Sequence, residues 1–174
     1  MNTANKLTVL RIVLIPVFLT LLYIDFGISN YVAMAVFIIA GLTDIADGYI
    51  ARHRKQVTDF GKFLDPLADK ILVVAAMLWF VERSVMPAWV ALIVIIREFM
   101  VTGLRLVAID NGRVIAAGLL GKIKTVVTMG SLTVMFLPLC NWMIFTCLVL
   151  ITVTTLVSGV EYFVKNKDII NWRK

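Results

Sequence analysis

Apolar residues gather in six long runs, at about 7–24, 31–50, 66–81, 87–109, 119–138 and 141–164, separated by short polar breaks. Each run approaches the roughly 20 residues that cross a hydrocarbon core about 30 Å thick. The pattern predicts six transmembrane helices, hence an all-α, polytopic membrane bundle. The longest polar break runs from Arg52 to Lys62, too short for a separate soluble module, so residues 1–174 are expected to form one membrane domain.

Composition agrees with this pattern. Of 174 residues, 61% are hydrophobic and only 16% are charged, against about 25% charged in a soluble domain. Lys6 and Arg11 ahead of Ile12–Leu22 give the first run the outline of a secretory signal. No small-residue cleavage site follows and five further apolar runs do, so this span is expected to be retained.

Basic residues orient the bundle, because Lys and Arg stay on the cytoplasmic side. Arg52, Arg54, Lys55 and Lys62 sit between spans two and three. Arg105, Arg113, Lys122 and Lys124 flank the connection between spans four and five, and Lys165, Lys167, Arg173 and Lys174 lie in the tail. The opposite loops hold only Arg83, which places both termini in the cytoplasm. The net charge of +6 then reflects this inside-positive bias and attraction to anionic lipid, with no nucleic-acid partner. Cys140 and Cys147, seven apart with no nearby His, are expected to be buried apolar filler. No internal repeat of the kind that builds transporters from two halves is evident.

Charge inside or at the rim of a membrane span is expensive and marks function. Asp44 and Asp47 stand three apart at the end of span two, and Asp65 and Asp69 four apart at the start of span three. Either spacing puts both positions of a pair on one helix face. An antiparallel pairing of the two spans brings all four carboxylates to the cytoplasmic end, where they would repel one another. Hard divalent cations relieve that repulsion, giving a one- or two-metal site suited to Mg²⁺ or Mn²⁺. Gly48 and Gly61 leave room for close approach, and Arg52 is placed to pair with phosphate. His53, among Arg52, Arg54 and Lys55, reads as a solvated loop position.

Written out, these residues give Asp44-x2-Asp47-Gly48-x2-Ala51-Arg52-x8-Gly61-x3-Asp65-x3-Asp69, eight fixed identities in 26 residues. This resembles the signature of the CDP-alcohol phosphotransferase family, with no departure. The resemblance implies attack of an acceptor hydroxyl on the β-phosphorus of a CDP-linked lipid, with CMP leaving. It makes Asp44, Asp47, Asp65 and Asp69 ligands of two metal ions, Asp69 also the general base, and Gly48, Arg52 and Gly61 part of the donor site. Asn5-Lys6-Leu7-Thr8-Val9-Leu10-Arg11 resembles the Asn-x-Leu-Thr-x-x-Arg entry of many members, which adds Asn5, Thr8 and Arg11 to that site. The resemblance further implies a homodimer in the bacterial inner membrane, multi-pass, with its active site facing the cytoplasm.

The acceptor has to be read elsewhere. Arg97, Arg105, Lys122 and Lys124 form a cationic set suited to a phosphate-bearing alcohol, although Glu98 can balance Arg97. Lys122 and Lys124 point about 200° apart on a helix, so only one can line a given pocket. The run Arg97-Glu98-x6-Arg105, with Gly-Lys-x-Lys-Thr at 121–125, resembles bacterial phosphatidylglycerophosphate synthases. Glycerol 3-phosphate is the expected acceptor, CDP-diacylglycerol the donor, and membrane lipids the surroundings. A cardiolipin synthase of the same chemistry is the nearest alternative. A divalent-cation transporter and a structural scaffold are more distant ones.

Overall fold

The computed structural model describes the backbone of residues 3–24, 27–54, 59–110, 112, 115 and 118–169, and the side chains of residues 10, 12–24, 27–43, 70–109, 112, 115 and 118–168. The described residues are all-helical: α1 (Thr3–Tyr23), α2 (Ser29–Arg54), α3 (Asp59–Glu82), α4 (Ala88–Asp110), α5 (Leu119–Met135) and α6 (Asn141–Lys165), with a 3-10 turn at Lys167–Ile169. The helices coincide with the six apolar runs, with two instructive differences.

The polar segment expected from Arg52 to Lys62 is helical at both of its described ends, since α2 continues to Arg54 and α3 starts at Asp59. Polarity outside the hydrocarbon does not end a helix, and Ala51 and Arg52 are good helix formers. At the other end of the chain, α5 stops at Met135, short of the expected 138. Leu137 precedes Pro138, and the proline ring disfavours helical backbone at the residue before it.

Contacts divide the chain into two compact units. The first comprises residues 1–80 and 133–138. Here α1 packs along α2, and the turn between them needs the left-handed conformation of Gly27 (φ 61°), which glycine adopts without steric cost. Pro16 lies inside α1. The core is aromatic. Phe136, just past α5, has its ring centroid 4.8 Å from Phe80, 5.7 Å from Trp79, 5.9 Å from Phe37 and 6.0 Å from Phe18. Each such pair adds about 0.5–1.5 kcal/mol beyond simple burial. The turn that ends α5 early therefore delivers the ring at the centre of this cluster.

The second unit comprises residues 81–132 and 139–174, in which α4 packs on α6. Val101, Leu104 and Tyr162 form a buried cluster, with Ile115 and Phe163 against it. Gly112 (φ 69°) donates its N–H to Ile109 O at 2.9 Å and closes the end of α4. Cys147 is buried as expected, but Cys140 is exposed, because it is the N-cap of α6 rather than part of its packed length.

Outside these cores much of the described surface is apolar. Along α6, Val149, Leu150, Val153, Leu156, Val157, Val160 and Val164 are all exposed. A contiguous face of this kind belongs in lipid. By length and composition α6 alone among the described helices is clearly able to cross a membrane. Two others fall short for identifiable reasons: α5 has 17 residues, and α4 carries Arg97, Glu98 and Arg105.

Candidate active site

The aspartate positions are fixed by two uninterrupted helices. Asp44 and Asp47 lie on α2, and Asp65 and Asp69 on α3. At about 100° per residue, positions 44 and 47 stand about 60° apart around α2, and 65 and 69 about 40° apart around α3. Depth along the helix is equally telling. At about 1.5 Å per residue, Asp47 is about 10 Å from the connector end of α2 and Asp65 about 9 Å from that of α3, while Asp44 and Asp69 are each about 15 Å from theirs. The four residues that join the helices limit the distance between Arg54 and Asp59 Cα atoms to about 19 Å. Counted from the connector, the four aspartate positions thus fall at two depths, 47 and 65 at about 9–10 Å and 44 and 69 at about 15 Å along their own helices.

A set of four carboxylates offers only hard oxygen donors, which fits Mg²⁺ or Mn²⁺ and not a thiophilic metal. The side chains of these aspartates, and those of Asn5, Thr8, Arg11, Arg52 and His53, lie outside the described residues, as do the surroundings of Gly48 and Gly61. Among the described residues no group of three or more His, Cys, Asp or Glu side chains gathers as a metal site.

The four expected acceptor-binding cations lie in the second unit, and they divide into distinct arrangements. Glu98 Oε1 accepts hydrogen bonds from Arg97 Nη1 at 2.9 Å and from Lys124 Nζ at 2.7 Å. The side chains of Arg97, Glu98 and Lys124 are 12%, 22% and 5% exposed, so this is a largely buried triad with a net charge of +1. In that setting the carboxylate gives each cation a hydrogen-bonded counter-charge out of water. Glycines make the space: a β-carbon at Gly159 would stand 3.3 Å from Arg97 Cγ, and one at Gly121 would stand 3.5 Å from Arg97 Nη2. Arg97 Nε is buried and has no partner among the described residues.

Arg105 is separately held. Its Nε donates to Tyr162 Oη at 3.1 Å, and its guanidinium carbon lies 5.6 Å from the centre of the Tyr162 ring. Lys122 is exposed, whereas Lys124 is buried, as opposite faces of α5 require. The balance of Arg97 by Glu98 was open to sequence reasoning, since the two are adjacent. The Lys124 contact and the role of Tyr162 were not. The only sequence signal for Tyr162 is a hydroxyl-bearing residue ending a run rich in Val, Leu and Thr.

Comparison with known proteins bears on what this arrangement does. Residues 1–157 match the family model described as CDP-alcohol phosphatidyltransferase. The chain is 43% identical to the CDP-diacylglycerol–glycerol-3-phosphate 3-phosphatidyltransferase of Bacillus subtilis, over 95% of each chain. It is 36% identical to the Haemophilus influenzae protein of the same name, over 92% of this chain and 91% of that one. It is 38% identical to a probable phosphatidylglycerophosphate synthase of Mycobacterium tuberculosis, over 92% of this chain and 79% of the relative. With its aspartate positions set on α2 and α3 and a family match that runs from residue 1 to residue 157, the chain belongs to the CDP-alcohol phosphatidyltransferase family.

Proposed function

We infer that this chain is a membrane-bound transferase that moves a phosphatidyl group from CDP-diacylglycerol to glycerol 3-phosphate, giving phosphatidylglycerol phosphate and CMP. The observation that carries this reading is the match, over 95% of both chains, to a relative whose name states that reaction.

The chemistry assigned to the residues is supported by the family's signature and by their spacing on α2 and α3. Asp44, Asp47, Asp65 and Asp69 would hold one or two Mg²⁺ or Mn²⁺ ions, which when bound neutralise the pyrophosphate and the charge developing on CMP. Asp69 accepts the proton of the glycerol 3-phosphate hydroxyl as its oxygen bonds to the β-phosphorus. The phosphorus–oxygen bond to CMP breaks, and CMP departs. Asn5, Thr8, Arg11 and Arg52, with room left by Gly48 and Gly61, bind the donor nucleotide. Arg105 is the principal ligand of the acceptor phosphate, because a guanidinium can offer two parallel donors to phosphate oxygens. Arg97, Lys124 and the exposed Lys122 add positive charge, the first two through the net +1 of the Glu98 triad.

All six helices are proposed to span the membrane, with both termini and the aspartates on the cytoplasmic side, and the chain to work as a homodimer. Support for the six spans comes from exposed aromatic residues. Tyr23 ends α1, Tyr31 lies in the first turn of α2, and Trp89 and Trp142 are second in α4 and α6. All four fall at the turns assigned to the outer face, where Tyr and Trp form interfacial belts.

The direct test is incorporation of labelled glycerol 3-phosphate into lipid by the purified full-length chain. Activity should vanish with a chelator and return with Mg²⁺ or Mn²⁺. Retention of full activity in excess chelator would overturn the carboxylate–metal assignment.

A further inference from the structure

Arginine is a long side chain, and holding one ready for a ligand ordinarily costs rotamer entropy. Arg105 is already held. Its Nε is spent on Tyr162 Oη, and Tyr162 is itself fixed: 7% exposed, packed with Val101 and Leu104, and backed by Phe163 and Ile115. The end of α6 that carries it is closed by Asn166, whose Nδ2 donates to Tyr162 O at 2.7 Å. A buried phenol with two torsions is a stiff anchor.

A guanidinium has five N–H donors. With Nε engaged, the four on Nη1 and Nη2 remain, and none meets an acceptor among the described residues. These four form the fork that grips two oxygens of one phosphate. The Tyr162 ring beneath the guanidinium carbon adds a cation–π contact at 5.6 Å that further restricts its plane.

We propose that Tyr162 is a positioning residue of the acceptor site, fixing Arg105 so that its terminal nitrogens are preorganised for the phosphate of the acceptor alcohol. The proposal rests on the reading of Arg105 as the acceptor-phosphate ligand. Tyr162 touches no reacting atom and acts through Arg105, so its contribution belongs to acceptor binding and not to donor binding or the chemical step.

Tyr162→Phe tests this in the purified full-length enzyme, because it keeps the ring, the packing and the cation–π contact and removes only Oη. The KM for glycerol 3-phosphate should rise about threefold to tenfold, the worth of one hydrogen bond, with kcat within about twofold and the KM for CDP-diacylglycerol unchanged. In an Arg105→Ala background, Tyr162→Phe should add nothing to the KM, as expected for residues that act as one unit. If Arg105→Ala raises the acceptor KM but Tyr162→Phe does not, the positioning role is overturned and the Arg105 assignment stands. A Tyr162→Phe variant that loses kcat and thermal stability with no change in either KM also overturns it, in favour of a packing role. An Arg105→Ala enzyme with unchanged acceptor KM overturns the Arg105 assignment itself, and the role of Tyr162 with it.

Discussion

The Lys124 ammonium lies 2.7 Å from Glu98 Oε1, an ion pair that ties α5 to α4 at a point where Lys124 is only 4% exposed. The same carboxylate oxygen accepts from Arg97 at 2.9 Å. One carboxylate oxygen therefore accepts from two cations, and the three members are not equivalent.

Glu98→Gln leaves Arg97 and Lys124 side by side without their carboxylate. Breaking a buried pair in this way costs about 3–5 kcal/mol. Lys124→Met leaves Glu98 with Arg97 still in place and should cost less, about 1 kcal/mol, in the range of one net hydrogen bond. Thermal unfolding midpoints in detergent should fall further for Glu98→Gln than for Lys124→Met. The reverse order would show that Glu98 is not the keystone of the triad.

The space around Arg97 depends on Gly159. A β-carbon there would already stand 3.3 Å from Arg97 Cγ, so the branched side chain of Gly159→Val should force the arginine stem aside at about 1–3 kcal/mol. Gly103→Ala, where a β-carbon meets open space, should be tolerated. The comparison is again by unfolding midpoint.

Asp69→Asn removes the proposed base with little change in shape. CMP release should fall by about 10²–10⁴, the usual worth of general-base catalysis, while binding of CDP-diacylglycerol is largely kept. Turnover equal to the unaltered enzyme would remove Asp69 from the base role.

Cys140 is free and exposed at the start of α6, and Cys147 is buried one turn-pair further on. On the proposed topology, with both termini in the cytoplasm, Cys140 would face outward. A membrane-impermeant maleimide applied to intact spheroplasts should modify Cys140 and spare Cys147. Labelling of Cys140 only after the membrane is opened would invert the topology.

The six helices were legible because apolar runs of membrane length have few alternatives, and because the aspartate positions follow directly from helical spacing. Helix ends were less so. The stretch from Arg52 to Lys62 reads as a connector by its polarity, yet α2 and α3 continue into it, since water and lipid headgroups accept charged side chains on a helix. Lys122 and Lys124 could be assigned to different faces but not to particular partners, because the choice depends on whether Glu98 of α4 lies beside α5. Tyr162 was out of reach for the same reason: 57 residues separate it from Arg105, and only packing of α4 on α6 brings them together.

The central claim concerns the acceptor, and CMP release from CDP-diacylglycerol by the purified chain with Mg²⁺ or Mn²⁺ tests it most directly. Glycerol 3-phosphate, serine, inositol phosphate and phosphatidylglycerol would be offered in parallel. Release that depends on glycerol 3-phosphate alone is the expected result. Release only with another of these acceptors would keep the aspartate chemistry and contradict the assignment of Arg105 and its neighbours to the phosphate of glycerol 3-phosphate.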